Sequence, residues 1–361
     1  MKKSTIKDVA ALSGFSTATV SRVINNNPGV TPDAVSRIQD AMKELNYHPN
    51  PIARSMRTGS VKTIGLILPN LSDPFFGSIA NHIIMNAEKF QFNVLIQVSK
   101  SEEDYDEPSC FRKMLDAAVD GLIYCSISRV VPQEFEQYFS GIPVVVCSRH
   151  HLLPGRPHVY FDHQKGGYLA TKYLLEMGHR KICLFAGVYG FPFHNEEDLK
   201  PFLENPLLAG PYSGIDKYIG FRQALTEKNV EFHPELLEFV DLGNPYETGY
   251  LAMQRLISKT TDFDAVFCAN DFSATGAIHM LNTQRIDVPN VVSIVGYDDG
   301  ILATCAQPQL TSVVQNTAEL GYQCVNSLHR LFDGEEVADT QIDVHLVVRQ
   351  SSCNHSAPQS S

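Results

Sequence analysis

The chain lacks the features of a membrane-spanning, secreted or metal-stabilised protein. No apolar run approaches the roughly 18 residues that a membrane helix needs. The N-terminal lysines are followed by a mixed apolar and polar stretch, without the apolar core of a signal peptide. The eight cysteines are scattered, contain no CxxC pair and mostly lie inside apolar segments. We therefore expect reduced, buried thiols in a cytoplasmic protein, with neither a disulfide framework nor a zinc site.

Sequence motifs of catalysis and of nucleotide binding are also absent. The chain has no GxGxxG, GxxxxGKS/T, HExxH or GxSxG pattern. Four histidines, His150, His151, His158 and His163, lie close together in the sequence. They lack the spacing with which one element holds a metal ion, so we expect them to be solvated loop residues. The sequence predicts a protein without catalytic activity, cofactor or metal.

Charge is divided unevenly along the 361 residues, which are enough for two or three domains. The net charge is −11, yet residues 1–60 hold eight basic and four acidic side chains. The remaining 301 residues carry 21 basic and 36 acidic side chains. A small basic head on a large acidic body suits a phosphate-contacting module attached to a part that avoids DNA.

The first 46 residues carry three short helical patterns. Thr5 and Asp8 form a capping box at the start of the first helix. Ser16 or Thr17 caps the second helix, and Thr31 caps the third. Helix, glycine turn, helix and supporting helix is the helix-turn-helix plan, whose second helix enters the major groove. The residues predicted to face the shared core are Ile6, Val9, Ala10, Leu12, Val20, Val23, Ile24, Val35, Ile38, Met42 and Leu45.

The outward face of the second helix is predicted to read DNA bases. Thr17, Ala18, Ser21 and Arg22 lie opposite its core-facing valines. Arg22 can pair bidentately with a guanine, and Ala18 or the Thr17 methyl can meet a thymine methyl. The asparagine run 25–27 ends the helix and can contact phosphates. The alternative is a solvated amphipathic helix with no nucleic-acid partner.

Residues 5–56, beginning TIKDVAALSGFSTATVSRVINNN, resemble the headpiece of the lactose/galactose repressor (LacI/GalR) family of bacterial transcription regulators. The resemblance implies that residues 17, 18 and 22 read the operator and that residues 51–58 form a hinge helix in the minor groove. Met56 stands where the family usually places a leucine wedge, between Arg54 and Arg57. The alternative for Met56 is a linker residue. The predicted DNA-binding residues are Thr5, Ser16, Thr17, Ala18, Thr19, Ser21, Arg22, Asn25, Arg54, Met56 and Arg57.

From residue 61 onward, short apolar segments alternate with helical ones. TIGLILP, GLIYCS, KICLFAG, DAVFCAND and VSIVGYDD are examples of the apolar segments. Buried strands that alternate with helices predict parallel sheets covered on both faces, and so many strands favour two sheets. Ligands of such sheets bind beyond the carboxyl ends of the strands, here in a cleft between two lobes.

The body resembles the effector domain of the same family, which is similar to periplasmic sugar-binding proteins. NLSDPFFGSI, GHRKI, CAND, VSIVGYDD and QLTSVVQ carry the resemblance over about residues 61–349. It implies chain crossings near 162, 314 and 343. The expected domains are therefore a headpiece (1–46), a hinge (47–60), a two-lobed effector and dimerisation domain (61–349) and a polar tail (350–361). Lobe 1 would comprise about 61–161 and 316–342, and lobe 2 about 162–314 and 343–349.

The predicted effector-binding residues lie mostly at strand ends. Phe75 and Phe76 can stack on a sugar ring or a base, or simply pack their helix onto the sheet. Asn270 and Asp298 can bind vicinal hydroxyls, and the family uses both positions; without the resemblance they would be helix caps. The full predicted set is Phe75, Phe76, Ser148, Arg149, Asp162, Lys217, Asn270, Asp298 and Gln315.

Two departures from the family pattern concern the effector site. Lys217, in SGIDKYIGF, stands where the family usually has an arginine, so the charge is kept without the bidentate fork. Residues 188–216 are about twice as long as the family's equivalent. They suit either a lid over the cleft or an excursion at the surface or dimer edge. The alignment of Lys217 depends on this insertion.

Together these patterns predict a dimeric, sugar-responsive repressor of a carbohydrate-utilisation operon that acts in the bacterial cytoplasm, at the nucleoid when bound. A sugar would release it from a near-palindromic operator. The tail lacks a leucine heptad, which argues against a tetramer. The alternatives are a sugar-binding receptor without DNA function, a regulator with a nucleoside or purine corepressor, and a sugar-modifying enzyme.

Overall fold

The computed structural model describes residues 4–24, 28–47, 62–99, 106–127, 135–150, 152–189, 193–205 and 213–355. The chain forms two compact units, Met1–Val61 and Lys62–Ser361. The first is entirely helical in its described part, and the second is an α/β unit with two sheets. The predicted fold class is confirmed.

The helical unit consists of α1 (Ile6–Ser13), α2 (Thr17–Ile24) and α3 (Pro32–Glu44). The predicted capping box is present, since Asp8 accepts hydrogen bonds from the backbone and hydroxyl of Thr5. Ser16, the first of the two predicted candidates, caps α2 by accepting from Thr19 N at 3.1 Å. Gly14 adopts a left-handed φ of 76° between α1 and α2, a conformation that glycine reaches without steric cost.

The core of this unit is small. Val9, Val20 and Ile38 are fully buried and join one hydrophobic cluster. Several predicted core positions differ from the structure. Leu12 is 44% exposed because α1 turns Val9 and Ser13 inward instead. On α3 the buried stripe is Ala34, Ile38 and Ala41, at i, i+4 and i+7, whereas Val35, Met42 and Leu45 are only partly buried at its margin.

The larger unit begins with a lobe in which strands and helices alternate along the chain. Its elements are β1 (Thr63–Leu68), α4 (Pro74–Lys89), β2 (Asn93–Val98), α5 (Glu107–Asp116), β3 (Gly121–Tyr124), α6 (Phe135–Phe139), β4 (Val144–Cys147) and β5 (His158–Phe161). The carboxyl-terminal α13 (Thr317–Phe332) and β11 (Thr340–Ile342) return to this lobe, where α13 packs against α4, β3 and β4.

The second lobe repeats the plan. Its elements are α7 (His163–Glu176), β6 (Ile182–Val188), α8 (Lys200–Glu204), α9 (Ser213–Glu227), β7 (Leu237–Asp241), α10 (Pro245–Lys259), β8 (Ala265–Phe267), α11 (Asp271–Thr283), β9 (Ser293–Asp298), α12 (Ile301–Cys305), β10 (Thr311–Val314) and β12 (His345–Val347). Short 3-10 helices cover Glu196–Leu199 and Pro234–Leu236.

Each lobe contains one six-stranded sheet. The first has the order β11-β5-β4-β3-β1-β2 with parallel pairs throughout, and the second has the order β12-β10-β9-β8-β6-β7, in which only β12 is antiparallel. The chain leaves the first sheet after Phe161, returns after Val314 and leaves again after Ile342. Three crossings at one place bring polar residues at several strand ends together.

The cysteines of the described residues are free thiols, and six of the eight are buried. Cys305 departs from the expectation, because it ends α12 at the surface, and Cys353 is partly exposed. In the part of the chain that the structure describes, no helix has the length and apolar character needed to cross a membrane.

Candidate functional site

A cavity of about 570 Å³, counted with its open mouth, lies at the carboxyl ends of strands from both sheets. Concave sites with apolar walls and a few convergent polar groups bind small organic ligands in many proteins. Most of the predicted effector residues border it. On its walls are Phe75, Phe76, Ser148, Arg149, Lys217, Asn270, Asp298 and Gln315.

Asp162 is the exception among the predicted effector residues. Its carboxylate accepts a hydrogen bond from Lys165 N at 2.9 Å and caps α7, and it does not border the cavity. The structure gives Asp162 the role of a cap, and its predicted effector contact stays a prediction. Asn270 combines both readings, since it caps α11 by accepting from Ser273 N at 2.9 Å and also forms part of the cavity wall.

Asp298 ends β9 with a left-handed φ of 104°. Burial raises its pKa well above the usual range for an aspartate; the Lys217 ammonium opposes that shift, and the Asp271 and Asp73 carboxylates reinforce it. One carboxylate oxygen accepts a hydrogen bond from Gln315 Nε2. Asp298 is thus a strong hydrogen-bonding group, half-buried on the cavity wall.

Gln315 follows β10 and is only 6% exposed. Its Oε1 atom is buried and has no hydrogen-bond partner within the described residues. Buried acceptors of this kind are normally satisfied, and each one left unmatched costs roughly 1–3 kcal/mol. A hydroxyl group of a ligand would satisfy it.

Lys217 lies in the second turn of α9 and is 6% exposed. Its Nζ donates to the Ala269 carbonyl at 2.8 Å and lies 3.6 Å from the centre of the Tyr297 ring. Burial lowers the pKa of Lys217 to about 8, while the Asp298, Asp271 and Asp216 carboxylates oppose that shift. The ammonium is therefore held by a carbonyl oxygen and the face of a ring. It can donate hydrogen bonds to a ligand from fewer directions than the planar fork of an arginine could.

His163 is buried on the cavity wall, so the prediction of a solvated loop residue is wrong for it. Its Nδ1 lies 3.1 Å from the Tyr297 hydroxyl. Within the described residues Nδ1 is the only hydrogen-bond partner of that fully buried hydroxyl. Because a buried hydroxyl donates its proton where it can, Nδ1 is the acceptor and Nε2 carries the hydrogen.

The protonation state of His163 agrees with that tautomer. Burial lowers its pKa well below the usual value, and the charges of Lys217, His150 and Arg149 add to the effect. The neutral ring adds an N–H donor to the cavity that the acceptors Asp298 and Gln315 also line. Sequence reasoning missed this residue because its partner Tyr297 is 134 positions away.

The neighbouring histidines also have protein partners. His158 is buried, and its Nδ1 lies 3.0 Å from Asp339 Oδ1, so the solvated reading is wrong here as well. His150 Nε2 lies 3.2 Å from Asp216 Oδ2. His151 falls outside the described residues. Among the residues that the structure describes, no group of three or more His, Cys, Asp or Glu side chains could hold a metal ion.

The aromatic pair forms one end of the cavity. Phe76 is buried, and its ring meets that of Phe75 edge-on, with 5.4 Å between ring centres. Phe75 is partly buried, and the centre of its ring lies 6.4 Å from the centre of the Phe161 ring. Asp73, which was not predicted, caps α4 through Phe75 N at 2.9 Å and borders the same cavity, where burial raises its pKa.

The described part of the long segment, residues 193–205, packs onto the second lobe. Phe193 and Phe202 are buried, and Phe193 stacks on Phe239 with 5.5 Å between ring centres. Glu196 accepts hydrogen bonds from the Tyr218 hydroxyl and from Arg222. This part is therefore anchored to the lobe surface. Tyr189 and Ser213, which also belong to residues 188–216, border the cavity.

The helical unit presents the predicted DNA-reading face. Thr17, Ala18 and Arg22 are exposed on α2, and Val20 and Val23 are buried on its opposite side. Thr5 and Ser16 are exposed at the caps, while Thr19 and Ser21 are half-buried. The predicted contacts Asn25, Arg54, Met56 and Arg57 lie outside the described residues.

A helix-turn-helix unit in the same chain as a two-lobed α/β unit with an interlobe cavity defines a ligand-responsive DNA-binding protein. Family models agree with this class. "Bacterial regulatory proteins, lacI family" matches residues 5–50, "Periplasmic binding proteins and sugar binding domain of LacI family" matches 61–189, and "Periplasmic binding protein-like domain" matches 171–352.

Relatives and solved structures cover nearly the whole chain. The HTH-type transcriptional repressor PurR of Mannheimia succiniciproducens is 31% identical over 96% of this chain and 98% of its own. The cellobiose complex of the transcriptional regulator CelR is similar at 28% identity and a TM-score of 0.68, covering 97% of this chain and 100% of that one. The Lac repressor dimer bound to operator and the anti-inducer ONPF shares the fold, with 24% identity, a TM-score of 0.81 and 98% and 100% coverage. The chain belongs to the LacI family of bacterial transcription regulators.

Proposed function

We propose that the protein is a repressor that binds a near-palindromic operator as a homodimer and is released by a small sugar. One observation carries the ligand assignment. A single cavity combines an aromatic face, the acceptors Asp298 and Gln315 and the donor His163. A ring with several hydroxyl groups suits this combination of donors, acceptors and aromatic surface. Each hydroxyl both donates and accepts hydrogen bonds, and the C–H face of the ring is apolar.

The DNA contacts are proposed for α2 and for the hinge segment that follows α3 in the sequence. Exposed Arg22 would read a guanine, and Thr17 and Ala18 would meet thymine methyls. The hinge residues Arg54, Met56 and Arg57 would lie in the minor groove. Sugar binding would alter hinge pairing by changing the angle between the lobes, with a coupling free energy of roughly 1–3 kcal/mol.

Further parts of the proposal concern location and chemistry. The protein would act in the cytoplasm, at the nucleoid when bound, and would bind its ligand without transforming it. The relative PurR is named a repressor and CelR was solved with cellobiose, which supports a repressor with a carbohydrate ligand. A purine or nucleoside corepressor stacked on Phe75 is the competing ligand class, because the aromatic pair also suits a base.

Selection of random duplexes by the purified protein at two salt concentrations tests the proposal first. We expect a palindrome to be enriched and its binding to weaken as salt rises, because phosphate contacts release counterions. The selected duplex then serves as the reporter for sugars and purines. If the selected pool stays random at both salt concentrations, with and without ligands, the proposed operator binding is wrong. If only a purine releases the duplex, the ligand is a purine and not a sugar.

The His163 tautomer gives a matched pair of variants. His163→Asn keeps an acceptor for the Tyr297 hydroxyl and lacks the distal N–H, whereas His163→Gln keeps the distal N–H. We expect sugar affinity to fall about tenfold in His163→Asn, the cost of one buried hydrogen bond, and to fall less in His163→Gln. Titration calorimetry measures both. The reverse order would refute the assigned tautomer.

A further inference from the structure

A buried carboxylate lies behind the part of the cavity wall that belongs to the first lobe. Glu107 occupies the first turn of α5 and is 1% exposed. Its Oε2 accepts a hydrogen bond from the Tyr124 hydroxyl at 2.6 Å, and its Oε1 accepts one from the Ser126 hydroxyl at 2.5 Å. Ser126 lines the cavity, whereas Glu107 does not, so the carboxylate meets the ligand site through Ser126.

The chemistry of a carboxylate fixes the direction of both hydrogen bonds. Separations of about 2.5–2.7 Å are typical of a hydroxyl that donates to an ionised carboxylate. An ionised carboxylate has two acceptor oxygens and no donor, so the hydroxyls of Tyr124 and Ser126 both donate to Glu107. The proton of Ser126 is therefore committed to the side away from the ligand.

Arg149 places a compensating positive charge on the same wall. It is 9% exposed and lines the cavity. Burial and the Glu107 charge raise the pKa of Tyr124 well above its usual value, and the Arg149 charge opposes them. A buried carboxylate is tolerated where hydrogen-bond donors and an opposite charge replace its hydration. The two hydroxyls and the guanidinium provide both, so Glu107 can keep its charge inside the lobe.

The committed proton determines what Ser126 offers to a ligand. A serine without such a partner rotates its hydroxyl to donate or to accept, as the ligand requires. With Glu107 behind it, the Ser126 hydroxyl can only accept from a group in the cavity. It therefore distinguishes ligand groups that donate, such as a hydroxyl or an N–H, from groups that only accept, such as an ether oxygen, a carbonyl or a fluorine.

We propose that Glu107 is a positioning residue that sets the ligand selectivity of Ser126. It holds the Ser126 hydroxyl as an acceptor, and the site thereby selects a ligand with a hydrogen-bond donor at this point of the wall. The inference rests on the proposed sugar ligand and adds a determinant of selectivity that does not touch the ligand. The alternative is a purely structural role, in which Glu107 fastens α5 to the end of β3.

The first experiment needs no ligand. Glu107→Met removes the carboxylate and keeps an unbranched side chain, and Ser126→Ala removes the hydroxyl. We expect the two changes to be non-additive in the unfolding equilibrium of the full-length protein, with a coupling of at least about threefold, because the two side chains are bonded to each other. Chemical denaturation of the single and double variants measures the coupling. Additive effects would overturn the inference. If Glu107→Met does not fold, Glu107→Gln replaces it.

Fluorinated sugars test the selectivity itself. Fluorine replaces a hydroxyl but cannot donate a hydrogen bond. Titration calorimetry compares glucose, galactose, mannose, ribose and xylose with their singly fluorinated derivatives. At the ring position that meets Ser126, we expect the unaltered protein to bind the fluorinated sugar about tenfold more weakly, the effect of one buried hydrogen bond. Glu107→Met and Ser126→Ala should reduce the difference at that position to within about twofold and leave it unchanged at the others.

Tyr124→Phe is the matched control. It breaks the other hydrogen bond to Glu107 and leaves the one from Ser126, and Tyr124 does not line the cavity. We expect it to lower the free energy of unfolding, as the loss of a fastening contact does, without changing the preference for hydroxyl over fluorine. Equal loss of that preference in Tyr124→Phe and Glu107→Met would assign Glu107 a structural role only.

Failure of the inference can be told apart from failure of the proposed function. If a sugar binds and its response to fluorine is the same in Ser126→Ala as in the unaltered protein, only the role of Glu107 is wrong. If no sugar of the panel binds, the result counts against the proposed sugar ligand. The coupling between Glu107 and Ser126 still decides, without a ligand, whether the carboxylate holds the hydroxyl.

Discussion

Replacement of Asp298 by alanine is expected to abolish the sugar response while operator binding persists. The carboxylate lies on the cavity wall, bonded to Gln315 and electrostatically coupled to the Lys217 ammonium. Its loss removes a strong acceptor for ligand hydroxyls and one of the three carboxylates, with Asp271 and Asp216, that favour the charged form of Lys217. Hydrogen bonds to charged groups contribute about 1.5–3 kcal/mol, so sugar affinity should fall roughly 10- to 150-fold.

Titration of the ligand and release of the selected duplex measure the two functions of the Asp298 variant separately. Asp298→Asn is the informative companion, because burial raises the pKa of the carboxyl and asparagine resembles its protonated form. Retained affinity in Asp298→Asn would show that the neutral acid binds the sugar. Asp262→Ala, at an exposed carboxylate of the second lobe, serves as control. An unchanged titration in Asp298→Ala would remove this residue from the site.

Much of the cavity could be predicted because parallel sheets bring strand ends together. Asp298 and Gln315 follow apolar runs in the sequence, and strands β9 and β10 pair in parallel, so the carboxyl ends of both lie at one edge. Local rules of capping and periodicity were sufficient for the caps of the helical unit, because Thr5, Asp8 and Ser16 bond to residues within one helical turn.

The positions that sequence reasoning did not anticipate have different physical causes. His163 belongs to the cavity because Tyr297, on the distant strand β9, meets its ring. Asp162, immediately before it, has the same strand-end position but is used by the α7 backbone. Leu12 was predicted to face the core but lies at the surface. The core of so small a unit needs only a narrow stripe of each helix, so one apolar residue of α1 remains exposed.

Replacement of Arg22 by alanine is expected to remove operator selectivity. Arg22 is exposed in the last turn of α2 with no structural role in the buried cluster of Val9, Val20 and Ile38. A bidentate contact to guanine is worth roughly 1–3 kcal/mol of discrimination, so preference for the selected duplex over a substituted one should fall about 5- to 150-fold. Competition binding with both duplexes measures the change.

Matched variants separate base reading from charge. Arg22→Lys keeps the charge without the planar fork, so it should retain non-specific binding but lose most of the discrimination. Lys43→Ala removes an exposed charge from α3 and should weaken both duplexes equally, if at all. Equal discrimination in Arg22→Ala and the unaltered protein would assign base reading to other residues.

Sugar titration of the Arg22 variant examines the modular arrangement as well. The helical unit has its own buried cluster, made only of residues from α1, α2, α3 and their flanks, and the cavity is built entirely from the α/β unit. Arg22 belongs neither to the cavity nor to the core that supports it, so in the absence of DNA the sugar affinity should stay within about twofold, the range of independent sites. Joint loss of operator selectivity and sugar binding would mean that the two units fold or act as one. Separate hydrophobic cores would then not mean that the two units function separately.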